Sequence, residues 1–263
     1  GATTLFIEDS YENLITKGQL DAYKLVNNIT NVNILLSPGH SAISTSQYDD
    51  IDAANGIGTI GNYSINDSAT NLFTSSGVEN FDFVNDATDI TVSTATTLSN
   101  IDHLRSARIN GLDNSITFDI NDAVGNFFVG STTNLVTNLT EIAQNAKNIT
   151  ISGDITVARA NAFEAGRGDL NNVTFVRLID SAPSLAASAA DKAIVAAGSV
   201  VLTAGTTTAD VLSSIDGKSS VAVDAQAITL ITDSLADITT ARTSVGITTD
   251  TDYDATVTGT LDE

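Results

Sequence analysis

The chain has 263 residues, 42% hydrophobic but only 5% aromatic, with no Cys, Met or Trp; a core must therefore be built from Ile, Leu, Val and Ala, and disulfides and thiolate metal sites are excluded. Against 32 Asp and Glu stand 11 Lys and Arg, a formal net charge of −21 that repels nucleic-acid phosphates and anionic membrane surfaces alike. No apolar run approaches the ~18 residues of a membrane span, so no membrane insertion is expected.

A strand-like motif opens the chain at Leu5–Leu14 and recurs near 63–72, 118–127, 176–185 and 229–238. Its aspartates, Asp9, Asp67, Asp122, Asp180 and Asp233, are spaced by 58, 55, 58 and 53 residues. Such a period marks a repeat architecture. Two residues before each aspartate stands Ile7, Ile65, Ile120, Leu178 or Ile231, and four before it Leu5, Tyr63, Phe118, Val176 or Thr229. Spacing by two places these side chains on one face of a strand. Five after the aspartate comes Leu14, Leu72, Phe127, Leu185 or Ile238. A short acceptor between a strand and such a residue reads as a helix N-cap, with Glu12 completing a capping box in the first copy.

A second strand type lies between the motifs at Asn33–Leu36, Ile90–Val92, Ile149–Ile151, Val200–Leu202 and Ala255–Val257. Segments of helical spacing follow and stop at Gly56, Gly111, Gly166 and Gly217, read as left-handed C-caps. Gln19–Val26, Leu135–Ala146 and the Ala-rich Ser184–Ala197 are expected to be the best helices. Asn126–Thr133 and Ala204–Thr208 are poor helix formers, so loops should close some coils. Each period thus holds two strand–helix coils whose strands pair in parallel through right-handed crossovers. The fold expected is α/β: a right-handed solenoid of strand–helix coils with a parallel β-sheet, about two coils per 55-residue repeat, as one body over 1–263.

Catalytic groups are sparse. The two histidines, His40 and His103, have no neighbouring Ser/Asp pattern of a triad, and Gly56-Ile57-Gly58 lacks the further glycine and lysine of a phosphate loop. No Trp and five Tyr make a poor sugar-cleaving cleft, so no enzyme is expected. Asp250, Asp252 and Asp254 have the alternate-carboxylate spacing of a Ca²⁺ loop, but Ala255 stands where the loop glycine belongs and Leu261 where the last ligand does. They are the metal candidates, and Ca²⁺ the one cofactor considered. Arg167-Gly168-Asp169 reads as a helix-ending turn in preference to a cell-adhesion tripeptide. Glycosylation sequons fall at Asn28, Asn62, Asn66, Asn138, Asn148 and Asn172.

The stretch Tyr63-Ser64-Ile65-Asn66-Asp67-Ser68-Ala69-Thr70-Asn71-Leu72 resembles the tandem strand-Asp-Ser/Thr-Ala-x-Asn-Leu repeats of large secreted bacterial surface proteins, cyanobacterial ones especially, and of related phage proteins. All five copies carry the resemblance, and Pro183, Leu235 and Ala236 depart from it. It implies a surface-layer, adhesive or filament role, extracellular or at the cell surface, and no catalytic residues. A self-assembling structural subunit or segment is expected, its partners other copies head to tail. An adhesin or phage tail-fibre segment gripping surface glycans is the alternative. The opening Gly1 reads as a processed form or a piece of something longer, and neither end reads as a polar cap.

Overall fold

The computed structural model describes residues 5–17, 32–36, 42–55, 60–61, 63–79, 81–108, 111–112 and 115–259. The expected helix over Gln19–Val26, together with Gly56, His40, Asn28 and Asn62, lies outside them. The chain divides into two compact units, one of Gly1–Ile120 with Asn145–Lys147, the other of Asn121–Gln144 with Asn148–Glu263.

In the first unit the strands are β1 (Leu5–Asp9), β2 (Val32–Leu36), β3 (Ala42–Ile43), β4 (Ile60–Gly61), β5 (Ser64–Asp67), β6 (Phe73–Thr74), β7 (Gly77–Val78), β8 (Asp89–Val92) and β9 (Ile116–Thr117). Among them lie a π-helical turn (Glu12–Thr16), α1 (Thr45–Asn55), α2 (Ala69–Leu72), α3 (Phe81–Asp86) and α4 (Leu98–Ala107). Two parallel sheets result, in the orders β1-β2-β4 and β3-β5-β8-β9. Helix or loop returns the chain between partners, which is what parallel pairing requires. The pair β6-β7 is an antiparallel hairpin.

β10 (Asp119–Ala123) runs from the first unit into the second. There follow α5 (Val124–Phe127), α6 (Leu139–Asn145), β11 (Asn148–Ile155), α7 (Val157–Arg167), β12 (Val173–Asp180), α8 (Ala182–Ala186), a 3₁₀ turn (Ser188–Ala190), α9 (Asp191–Val195) and β13 (Val200–Leu202). Then come β14 (Gly205–Thr208), α10 (Ala209–Asp216), β15 (Val223–Ala225), β16 (Ile228–Asp233), α11 (Leu235–Thr243), β17 (Ile247–Thr249) and β18 (Asp254–Val257). The sheet orders are β10-β11-β12-β13-β15-β17 and β14-β16-β18, and from β11 onward each pairing is parallel. The molecule is thus a mixed α/β protein with parallel sheets, and the motif and inter-motif strands fall where the sequence placed them.

Stacked apolar side chains form the core. Ile65, Ile120, Leu178 and Ile231 are buried, as are Leu14, Leu72, Phe127, Leu185 and Ile238. The column four before the aspartate divides: Tyr63 and Phe118 are buried, but Val176 and Thr229 are exposed. In β12 the inward residues run Val173, Phe175, Leu178, and in β16 Ile228 then Ile231, so the alternation is lengthened by one residue before the motif core position. Both places coincide with an irregular register: from Ile151 to Asp154 β11 takes three steps against two in β12, so the extra residue is in β11, and from Ile228 to Leu230 β16 takes two steps against one in β14, so there it is in β16. A bulge of one residue sends the next side chain to the other face.

The helices are shorter than expected. Leu135–Ala146 yields only α6, and Ser184–Ala197 breaks into α8, a 3₁₀ turn and α9. The glycine expectation is corrected in part: Gly111 is left-handed at φ 68°, three residues beyond the helix-ending Arg108. Gly166 lies inside α7, and the left-handed C-cap is Gly168 at φ 105°. A Cβ on Gly166 would sit 2.3 Å from Leu135 Cδ1, so close approach is what glycine permits there. Gly217 does end α10, but in the right-handed region.

Candidate functional site

The five motif aspartates share one local geometry. Asp9, Asp67, Asp180 and Asp233 end their strands and Asp122 stands one residue short of the end. In each, Oδ1 accepts the backbone N–H of the next residue: Ser10 at 2.7, Ser68 at 2.7, Ala123 at 2.8, Ser181 at 2.8 and Ser234 at 2.9 Å. The expected N-cap role is therefore corrected. The cap is the following serine, whose Oγ accepts from Asn13, Ser184 and Asp237 N–H in three copies. The aspartate is still in the strand, one residue too early to reach the helix's free N–H groups. Glu12, expected to complete a capping box, instead pairs with Lys17 at 3.5 Å.

In three copies the other carboxylate oxygen accepts a backbone N–H from 22 or 23 residues earlier in the chain. Asp67 Oδ2 accepts the N–H of Thr45, Asp180 Oδ2 that of Val157, and Asp233 Oδ2 that of Asp210, at 2.9, 3.1 and 3.2 Å. Each donor lies in the first turn of a helix, where N–H groups have no intrahelical acceptor and the helix dipole favours an anion. The backbone carbonyls of the same residues take an N–H from later in the chain: Asp67 accepts from Ser93 N–H, Asp180 from Thr203 and Asp233 from Thr258. One residue thus fastens three successive passes of the chain. Asn13, Asn71 and Asn126, four residues on, donate Nδ2 to Oδ1 at 2.6, 2.7 and 2.6 Å. Sequence reasoning gave these asparagines no role, although their constant offset from the aspartate was the available signal. Burial of Asp67 pushes its carboxyl up, but the bonds from Thr45, Asn71 and Ser68 outweigh it and hold the group below the ordinary carboxylate value.

Asp250, Asp252 and Asp254 do not form a converging acidic group among the described residues. Asp250 Oδ1 accepts its neighbour's N–H, from Thr251, and Asp254 has already entered β18, where extended backbone separates carboxylates instead of curling them round a centre. Among the described residues the acidic group that converges is Asp210, Asp233 and Asp237, with ligand atoms within 4.8 Å of one another. Oxygen donors of this kind suit Ca²⁺ or another hard cation. Their proximity also follows from the joint itself, since Asp210 N–H is held by Asp233 and Asp237 takes the Ser234 hydroxyl.

The Arg167-Gly168-Asp169 tripeptide is tied inward. The Arg167 side chain is 9% exposed and donates to the carbonyls of Ala143 and Asn171 and to Asp169 Oδ1. A groove of about 690 Å³ lies beside it, lined by Asp169, Asn171, Asn172, Val173, Lys192 and Val195 among others. Its charges are already paired, Asp169 with Arg167 and Lys192 with Glu164. Sequon residues Asn66, Asn148 and Asn172 are exposed, and Asn138 and Asn172 occupy positive-φ turns. His103 lies on α4 with Nδ1 buried and no hydrogen-bond partner at that atom.

Compared with protein-family models, curated proteins and solved structures, the chain matches none.

Proposed function

We propose that the chain is a right-handed solenoid of strand–helix coils, about two to each 55-residue repeat, and that it serves as a structural extracellular protein: a self-assembling subunit or segment of a bacterial surface layer, sheath or filament. The aspartate joint carries this reading. A carboxylate that takes an N–H from the coil before, with a carbonyl that takes one from the coil after, is a nearest-neighbour device that works for any number of coils. The resemblance of the motif to secreted surface repeats and the charge of −21 support the same reading. The partners are other copies, head to tail, since heterologous contacts that do not close give open filaments. Electron microscopy and sedimentation at physiological salt test the proposal. Ordered polymers without any ligand are expected; a folded monomer persisting at high concentration overturns it.

One observation favours the second reading, an adhesin or phage tail-fibre segment that binds surface glycans. The segment Phe128–Leu135 folds back on itself through an antiparallel bridge, and its tip is Gly130, Ser131, Thr132 and Thr133, all exposed. Arg159 fixes it, donating to the Thr132 and Gly130 carbonyls with its guanidinium 5.1 Å from the Phe128 ring centre. Rigidly held polar loops on a regular scaffold are common recognition elements. Binding to a glycan array that weakens in Arg159→Ala is the outcome this reading requires; silence across the array removes it.

A further inference from the structure

We draw no further inference here: the strongest candidate, the free edge of β1, where Asp9 Oδ2 has no partner among the described residues although the matching oxygens of Asp67, Asp180 and Asp233 each take an N–H from the preceding coil, carries nothing because nothing in the structure shows what covers it.

Discussion

Asp180 Oδ2 lies 3.1 Å from the backbone nitrogen of Val157, 23 residues earlier in the chain, while the Asp180 carbonyl takes the N–H of Thr203 at 2.9 Å. Asp67 repeats the arrangement in the more enclosed setting, 8% exposed, with Thr45, Ser68 and Asn71 all donating to its carboxylate. Asp67→Ala strands those donors, one of them in a buried bond. Hydrogen bonds to charged groups are worth about 1.5–3 kcal/mol, and the loss expected is about 2–4 kcal/mol. Asp9→Ala, which removes only the bonds from Ser10 and Asn13 at a half-buried site, should cost about 1 kcal/mol. Urea unfolding of both variants measures the difference. Equal losses would mean that the cross-coil bond contributes nothing.

The same joint fixes the sign of the acid response. The folded Asp67 carboxyl is held below its ordinary value, so the folded state binds its proton less readily than the unfolded chain does. Stability from this group is fully present above the unfolded value of about 3.9 and is lost as pH falls through the lower folded value. Unfolding free energy measured from pH 5 down to about pH 2 should fall, and the Asp67→Ala variant should fall less. Parallel curves for the two proteins would place the acid sensitivity elsewhere.

The motif strands could be read from sequence because each copy meets the same local demands. Ile65, Ile120, Leu178 and Ile231 had to be apolar at one offset from an aspartate, and all four are buried. The joint was less legible. An N-cap and a cross-coil acceptor both ask for a short carboxylate at a strand end, and only the position of a residue 22 or 23 places away separates them. Val176 and Thr229 illustrate a second limit: both face outward beside an irregular register, whose extra residue lies in β11 in one case and in β16 in the other, and a bulge leaves no mark in a hydrophobic pattern. The converging Asp210, Asp233 and Asp237 come from two coils, so no local spacing could have named them, whereas the contiguous Asp250, Asp252 and Asp254 drew notice by spacing alone.

The irregular register between β11 and β12 makes a paired prediction. Leu178 is fully buried, whereas Val176, two residues away, is 45% exposed. Leu178→Ala should cost about 2–5 kcal/mol, the range for buried large-to-small changes. Val176→Ala should stay within about 0.5 kcal/mol, as surface substitutions do. Strict period-two burial predicts similar costs for both. Thermal or urea denaturation of the two variants decides, and a Val176→Ala loss comparable to that of Leu178→Ala would show that Val176 is not turned outward in solution.

Alkali should act on the first unit through two tyrosines. Tyr48, Tyr63 and Phe83 form one cluster, with the Tyr48 and Phe83 rings 4.6 Å apart and Tyr63 stacked on Phe83 at 5.6 Å. The Tyr63 hydroxyl donates to the Phe83 carbonyl at 2.7 Å. Burial, followed by the charges of Asp52, Asp86 and Asp82, pushes the Tyr48 phenol up to about 12, and burial raises Tyr63 as well. An unfolded chain ionises tyrosine near pH 10. The folded state therefore keeps protons that the unfolded state releases, and stability present below about pH 10 is lost as pH rises through the folded values. Tyrosinate absorbance should show a late titrating fraction that appears together with loss of secondary structure. Tyr63→Phe should be less stable at neutral pH by about 1 kcal/mol, from the lost hydrogen bond, and should lose less further stability above pH 10. Early, complete titration with the fold intact would show that the cluster is open to solvent.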